Sequence, residues 1–170
     1  MKTLLLFRHS DAENNSLDKR DHDRILSSKG KEDSILIKHW LQKSELTVNK
    51  VFVSSANRTK ATAESIFCDH RELIIIKPEL YLCSKKELIN FLHEVDDNLE
   101  IIAIIGHEPS ISESLNELVG SYRPDLKDVM KGEYPTSGLS VIIFNTSSWK
   151  KIFPRDGTLD AFKSPEMIKN

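Results

Sequence analysis

The chain has 170 residues, 39% of them hydrophobic and 29% charged, with only six glycines and six prolines. That length fits one domain whose core needs no staple, and the composition excludes collagenous, low-complexity and largely disordered chains. Twenty-four basic residues against 26 acidic ones leave a formal net charge of −2, without the basic excess of a nucleic-acid or membrane surface.

Cys68 and Cys83 are too few for a disulfide framework and read as reduced thiols of a cytoplasmic protein. The N-terminal apolar run, residues 4–7, is cut short by Arg8 and His9. It falls below the roughly 7–15 apolar residues of a secretory segment and the roughly 20 of a membrane span.

In chain order, residues 2–7 predict a strand that is apolar on both faces, as in a parallel sheet. A polar segment follows over 8–28, long for a loop in a compact domain and therefore a candidate functional loop. Ile35, Leu36, His39 and Trp40 recur at helical spacing and predict a helix over 31–41. Residues 51–54 predict a second strand and 59–67 a second helix. A third strand over 73–76 is ended by Pro78. Ser84 and Glu87 form a capping box that opens a helix to about residue 94. Residues 101–105 are another two-sided strand. Ser110 and Glu113 predict a second capping box and a helix through 118. Residues 122–136 look irregular, 139–144 form a strand, and 149–153 predict a last one. The polar stretch 154–170 is expected to pack loosely. Alternating strands and helices imply a three-layer α/β/α sandwich on a mostly parallel central sheet. The expected organisation is one domain over 1–170, with its core in about 2–153.

Three of these strands end in related residues: Arg8-His9, then Ser54-Ser55-Ala56-Asn57-Arg58, then Gly106-His107. In an open parallel sheet the carboxyl ends of the strands share one edge, and ligands bind there. Arginine offers a rigid fork of donors matched to phosphate oxygens, and helix N-termini after Arg58 and His107 add backbone N–H groups. A neutral imidazole inside such a cradle can attack phosphorus. Each residue alone is commonplace at a strand or helix end; their conjunction in this order carries the reading. None of the six histidines shows His-x-x-x-His spacing, and neither cysteine sits in a Cys-x-x-Cys pair. Asp21-His22-Asp23 is only a weak candidate for a divalent ion. No metal or cofactor is expected.

Arg8-His9-Ser10-Asp11-Ala12 resembles the Arg-His-Gly signature of the histidine phosphatase superfamily, also called phosphoglycerate-mutase-like. More narrowly, it resembles the Arg-His-Gly-Asp-Ala of the SixA-type phosphohistidine phosphatases. The segment from Asp23 to Gly30 is similar to that branch's Arg-Pro-Leu-Thr-x-x-Gly segment, and the one from Val53 to Ala63 to its second arginine motif. Ile105-Gly106-His107-Glu108-Pro109 resembles its second histidine motif, and Thr136-Ser137-Gly138 its small-residue turn. The resemblance spans about residues 2–145.

The resemblance implies a phosphoglycerate-mutase-like fold and a phosphatase without cofactor. His9 would be the nucleophile and form a phosphohistidine intermediate. Arg8, Arg58 and His107 would hold the phosphoryl oxygens. Arg24 and Asp21 fall where the SixA-type pattern places further pocket residues. Ser10 departs from the family's glycine, and Ile25 from its proline. If position 10 needed a positive φ, Ser10 would add strain; a hydroxyl facing the phosphate would accommodate it. Glu108, beside His107, is a further substrate-side candidate.

His9 must be neutral to attack, and the positive field of Arg8, Arg24 and Arg58 should lower its pKa. For the proton that the leaving group needs, Asp21, Glu79, Glu87 and Glu108 are all open. The expected partner is a phosphorylated protein of the phosphotransfer type or a small phosphate ester, with phosphate or sulfate able to occupy the pocket. No nucleic acid and no membrane are expected. The alternatives are a small-molecule phosphomonoesterase acting on a sugar or nucleotide phosphate, or a non-catalytic phospho-binding module.

Overall fold

Strands that are apolar on both faces must be covered from both sides, and alternate residues then feed two separate cores. In a computed structural model, which describes residues 1–14 and 19–170, this governs the whole fold. The central strand β1 (Lys2–Arg8) sends Leu4 and Leu6 to one face and Leu5 and Phe7 to the other. Behind Leu5 and Phe7 lie Ile37 and Leu41 of α1 (Ser28–Lys43) and Ala63 and Ile66 of α2 (Asn57–Ile66). Behind Leu4 and Leu6 lie Leu88 and Leu92 of α3 (Lys85–His93) and Ile111 and Leu115 of α4 (Ser110–Leu118).

The remaining strands are β2 (Lys50–Val53), β3 (Ile74–Ile76), β4 (Ile101–Gly106), β5 (Val119–Tyr122), β6 (Leu139–Phe144) and β7 (Gly157–Lys163). They join β1 in one seven-stranded sheet of order β3-β2-β4-β1-β6-β7-β5. Pairing is parallel from β3 through β1 and between β7 and β5; only β6 runs against the others. The expected three-layer sandwich on a mostly parallel sheet is therefore the fold.

The capping box of Ser84 and Glu87 forms and opens α3. The box expected at Ser110 and Glu113 does not. The Ser110 hydroxyl donates to His107 O (2.9 Å), and Glu108 caps the helix instead by accepting from the Ser112 N–H (2.9 Å). Two further expectations fail near the C-terminus. Residues 149–151 form a single 3-10 turn rather than a strand, because Trp149 is a fully buried plug whose N–H and indole N–H donate to Asp97 Oδ1 and Leu99 O (both 2.8 Å). The stretch expected to be a loose tail supplies β7 and a short helix, α5 (Pro165–Lys169). Leu159 and Phe162 of β7 enter the core. Lys169 reaches the fully buried carboxylate of Asp33 on α1, which Lys29 also pairs.

Of the polar segment 8–28, residues 15–18 lie outside the described part. On either side of them the chain is strapped to itself. Ala12 bridges Leu26, Glu13 N–H donates to Ile25 O (2.9 Å), and Ser27 N–H donates to Asp11 O (3.0 Å). Ser27 also caps α1, which accordingly begins at Ser28, earlier than the apolar periodicity implies. The strap needs a glycine at position 30: a Cβ built there would lie 2.1 Å from Asp11 O. Gly30→Ala is expected to lower stability by about 1–3 kcal/mol through this overpacking. Urea denaturation measures it; a change below about 0.5 kcal/mol would show that Asp11 is not held this tightly.

Candidate active site

The topology brings the C-terminal ends of β1, β2 and β4 side by side. His9 N–H donates to Gly106 O and Ser54 N–H to Ile105 O, both at 3.1 Å. Because β6 runs the other way, its beginning lies at this same edge, where Ser137 N–H donates to His9 O (3.1 Å).

His9 and His107 face one another with ring centroids 5.4 Å apart. The Nδ1 of His9 lies 2.8 Å from Ser10 O. A carbonyl only accepts, so Nδ1 carries the proton and Nε2 presents a lone pair. The opposite nitrogen is blocked in His107: its Nδ1 accepts from Arg58 Nη2 (3.2 Å), and its Nε2–H donates to Ser54 Oγ (2.7 Å).

Arg58 sits in the first turn of α2 and is only 3% exposed. Its guanidinium donates to Asp21 O (2.8 Å) and to Asp21 Oδ2 (3.0 Å) as well as to His107. Asp21 also accepts from Tyr81 Oη (2.6 Å) and, weakly, from Arg24 Nη1 (3.4 Å). Arg24 Nε donates to Glu13 O (2.8 Å), and Arg8 Nη1 to Tyr134 O (2.6 Å). Among the described residues, Arg8 Nε and Arg58 Nε are buried with no acceptor. Two unsatisfied charged donors are costly to bury, and an oxyanion would satisfy them.

The titration behaviour follows from this packing. Burial is the largest cause that lowers the pKa of His9 from 6.5 to about 4; the Ser10 carbonyl, next in size, opposes the shift, and the charges of Arg58, Arg8 and Arg24 add to the lowering. The positive field expected from the sequence is present, but it comes second to burial. Burial and Arg58 lower His107 to about 3. The hydrogen bond from Tyr81, with those of Arg58 and Arg24, holds Asp21 at about 2.

The structure thus gathers Arg8, His9, Arg58, His107, Asp21 and Arg24 into one cluster. It does not bring in Ser10 or Glu108. Ser10 is fully buried, has no positive φ, and points its hydroxyl away. Ser137 Oγ donates to Ser10 Oγ (2.6 Å), which lies 2.7 Å from Ser34 Oγ, and Ser34 Oγ donates to Gly30 O (2.8 Å). The left-handed residue at this edge is Ser137, at φ 58°. Glu108 has its carboxylate on Ser112, at 2.9 Å from the backbone N–H and 2.6 Å from the hydroxyl. Glu87 is engaged in its capping box and Glu79 pairs with Lys77. Tyr81 was not legible as a site residue. Its position just beyond β3, at the carboxyl edge of the same sheet, was the available signal. Among the described residues no group of three His, Cys, Asp or Glu side chains is placed to hold a metal ion, and no helix is long and apolar enough to cross a membrane.

The architecture is the phosphoglycerate-mutase-like fold. A SixA protein of Agrobacterium tumefaciens superposes with a TM-score of 0.81 at 20% identity, covering 96% of this chain and 98% of that one. The protein histidine phosphatase SixA complexed with tungstate gives 0.78 at 20% identity, over 98% and 99% of the two chains. The alpha-ribazole phosphatase of Shigella flexneri gives 0.70 at 16% identity, over 96% of each. In sequence, the chain is 27% identical over 146 residues to an uncharacterized protein of Mycobacterium leprae, covering 85% of this chain and 89% of the relative. No family model matches.

Both imidazoles are neutral in the folded chain throughout the neutral range, whereas in the unfolded chain they take up protons below about pH 6.5. Stability should therefore be fully present above pH 6.5. It should fall as the pH drops from there through about 4 for His9 and about 3 for His107, because the unfolded state binds more protons. In a proton NMR titration of the folded protein, the His9 and His107 ring signals are expected to show no midpoint between pH 5.5 and 8. A midpoint near 6.5 for His9 would contradict the burial argument.

Proposed function

We propose that this chain is a phosphatase that uses His9 as its nucleophile and removes phosphate from phosphohistidine on a protein partner. The observation that carries the reading is the pairing of a neutral His9, its Nε2 lone pair free, with the guanidinium groups of Arg8, Arg58 and Arg24. The folds of SixA and of alpha-ribazole phosphatase support the broader phosphatase class.

In the first step the Nε2 lone pair of His9 forms a bond to phosphorus as the bond to the leaving group breaks. The arginines neutralise the charge that gathers on the phosphoryl oxygens. Those oxygens compete with His107 Nδ1 for Arg58 Nη2. In the second step water attacks the phospho-His9, its oxygen bonding to phosphorus as the bond to Nε2 breaks. Orthophosphate and a proton leave.

Proton supply favours a phosphohistidine substrate. Asp21, at about 2, has no proton to give at neutral pH, and Glu79, Glu87 and Glu108 are engaged elsewhere. An alkoxide leaving group would need such a donor; an imidazole can take its own proton from water and leave readily. A small-molecule monoesterase is the second reading, favoured by the likeness to alpha-ribazole phosphatase.

His9→Ala should reduce turnover by on the order of a thousandfold or more while retaining part of the affinity for orthophosphate. Full activity in that variant would remove His9 from the nucleophile's role. The substrate class is tested by comparing kcat/KM for a phosphohistidine-bearing phosphotransfer domain with a panel of small phosphomonoesters. Preference for the protein substrate is expected, and a large preference for the esters would overturn it.

A further inference from the structure

Tyr81 is placed to do more than hold Asp21. It leaves the sheet edge just beyond a 3-10 turn, Pro78–Leu80, and its ring lies between two imidazoles. On one side is His107, with centroids 5.5 Å apart at 82°; on the other is His22, at 4.7 Å and 80°. His107 is 2% exposed and belongs to the phosphoryl cluster. His22 lies in the 3-10 turn Asp21–Asp23, with its ring partly in solvent and its Nε2 2.9 Å from Ser55 Oγ. The three rings thus step outward from the buried phosphoryl end toward solvent, each nearly perpendicular to the next.

The wall is built and held. Tyr81 is fixed by its hydroxyl on Asp21, and the His22 turn by Ser55, by Asn57 Nδ2 on Asp23 O (3.2 Å) and by Arg58 on Asp21 O. Of these, Asn57 and Arg58 open α2, so the wall and the phosphoryl donors are set by the same turn of helix. A planar leaving group attached to the phosphorus would meet aromatic faces and edges there, a contact worth more than its buried area alone. An alkyl leaving group would meet the same surface without that gain.

We propose that Tyr81 and His22 form an aromatic wall that selects phosphoryl compounds with a planar ring as the leaving group, the imidazole of phosphohistidine being one such ring. This rests on the reading of the cluster as a phosphoryl site. It names two specificity residues that the motifs do not include.

Binding separates the wall from catalysis. Phenylphosphonate and methylphosphonate share a phosphonate head and differ only in the ring, and neither is turned over. Calorimetry on the full chain is expected to give phenylphosphonate about tenfold tighter binding than methylphosphonate. Tyr81→Leu and His22→Leu should each reduce that ratio toward one. Tyr81→Phe keeps the ring and loses the Asp21 bond; it should weaken both ligands alike and preserve the ratio. Equal affinities in the unmodified protein, or a ratio unchanged in both leucine variants, would overturn the wall. So would a ratio that falls as far in Tyr81→Phe as in Tyr81→Leu, since Tyr81 would then act only through Asp21. A protein that binds phosphonates with the expected ratio yet hydrolyses no phosphoryl compound would refute the phosphatase reading and leave the wall standing.

Discussion

A guanidinium that is 97% removed from solvent cannot be left unpaired, and Arg58 is that group. Its position in the first turn of α2 is fixed by the short β2–α2 connection, so its partners must come to it. They arrive from two directions: Asp21 from the polar loop after β1, and His107 from the end of β4. The tautomer of His107 follows from this charge, and the placement of Asp21 and part of its ionisation do too, with Tyr81 the larger contributor there. A buried ion pair of this kind is weak evidence for net stability. Its effect here is to specify one arrangement of an otherwise polar edge.

The same edge shows how backbone geometry selects chemistry. A histidine in a protein can present either ring nitrogen. At His9 the Ser10 carbonyl settles the choice, and at His107 the Arg58 donor settles it the opposite way. The two rings therefore face each other in complementary states, one with a lone pair exposed and one with its lone pair committed. Burial keeps both neutral, with the arginine charges as a second contribution. The hydroxyls of Ser10, Ser34 and Ser137 occupy the space behind His9 and link β1, α1 and the lead into β6 without touching the cluster.

Much of this is legible in the sequence. Two-sided apolar strands locate β1 and β4, and strand ends rich in arginine and histidine locate the site, because parallel topology converts sequence-distant strand ends into neighbours. The strand β7 is hidden in the sequence for a physical reason. Thr158 and Asp160 face solvent and only Leu159, Ala161 and Phe162 pack inward, so its composition looks like that of a polar tail. Trp149 looked like strand material because it is large and apolar, whereas its two N–H groups tie it to the turn after α3. Ser10 and Glu108 adjoin site residues in sequence, but a side chain's direction depends on its neighbours in space. Tyr81 shows the converse, since nothing beside it in sequence marks it.

The reversed strand β6 makes this edge depend on the whole sheet. Its start supplies the Ser137 turn beneath His9, while the other contributions come from the ends of β1, β2 and β4 and from the approaches to α1 and α3. No single stretch of chain carries a usable fraction of the cluster. A ligand seated there binds only the native state, so its free energy of binding adds to the free energy of folding for the entire chain rather than for one loop. Recognition and global stability are in that sense the same equilibrium, read at different ligand concentrations.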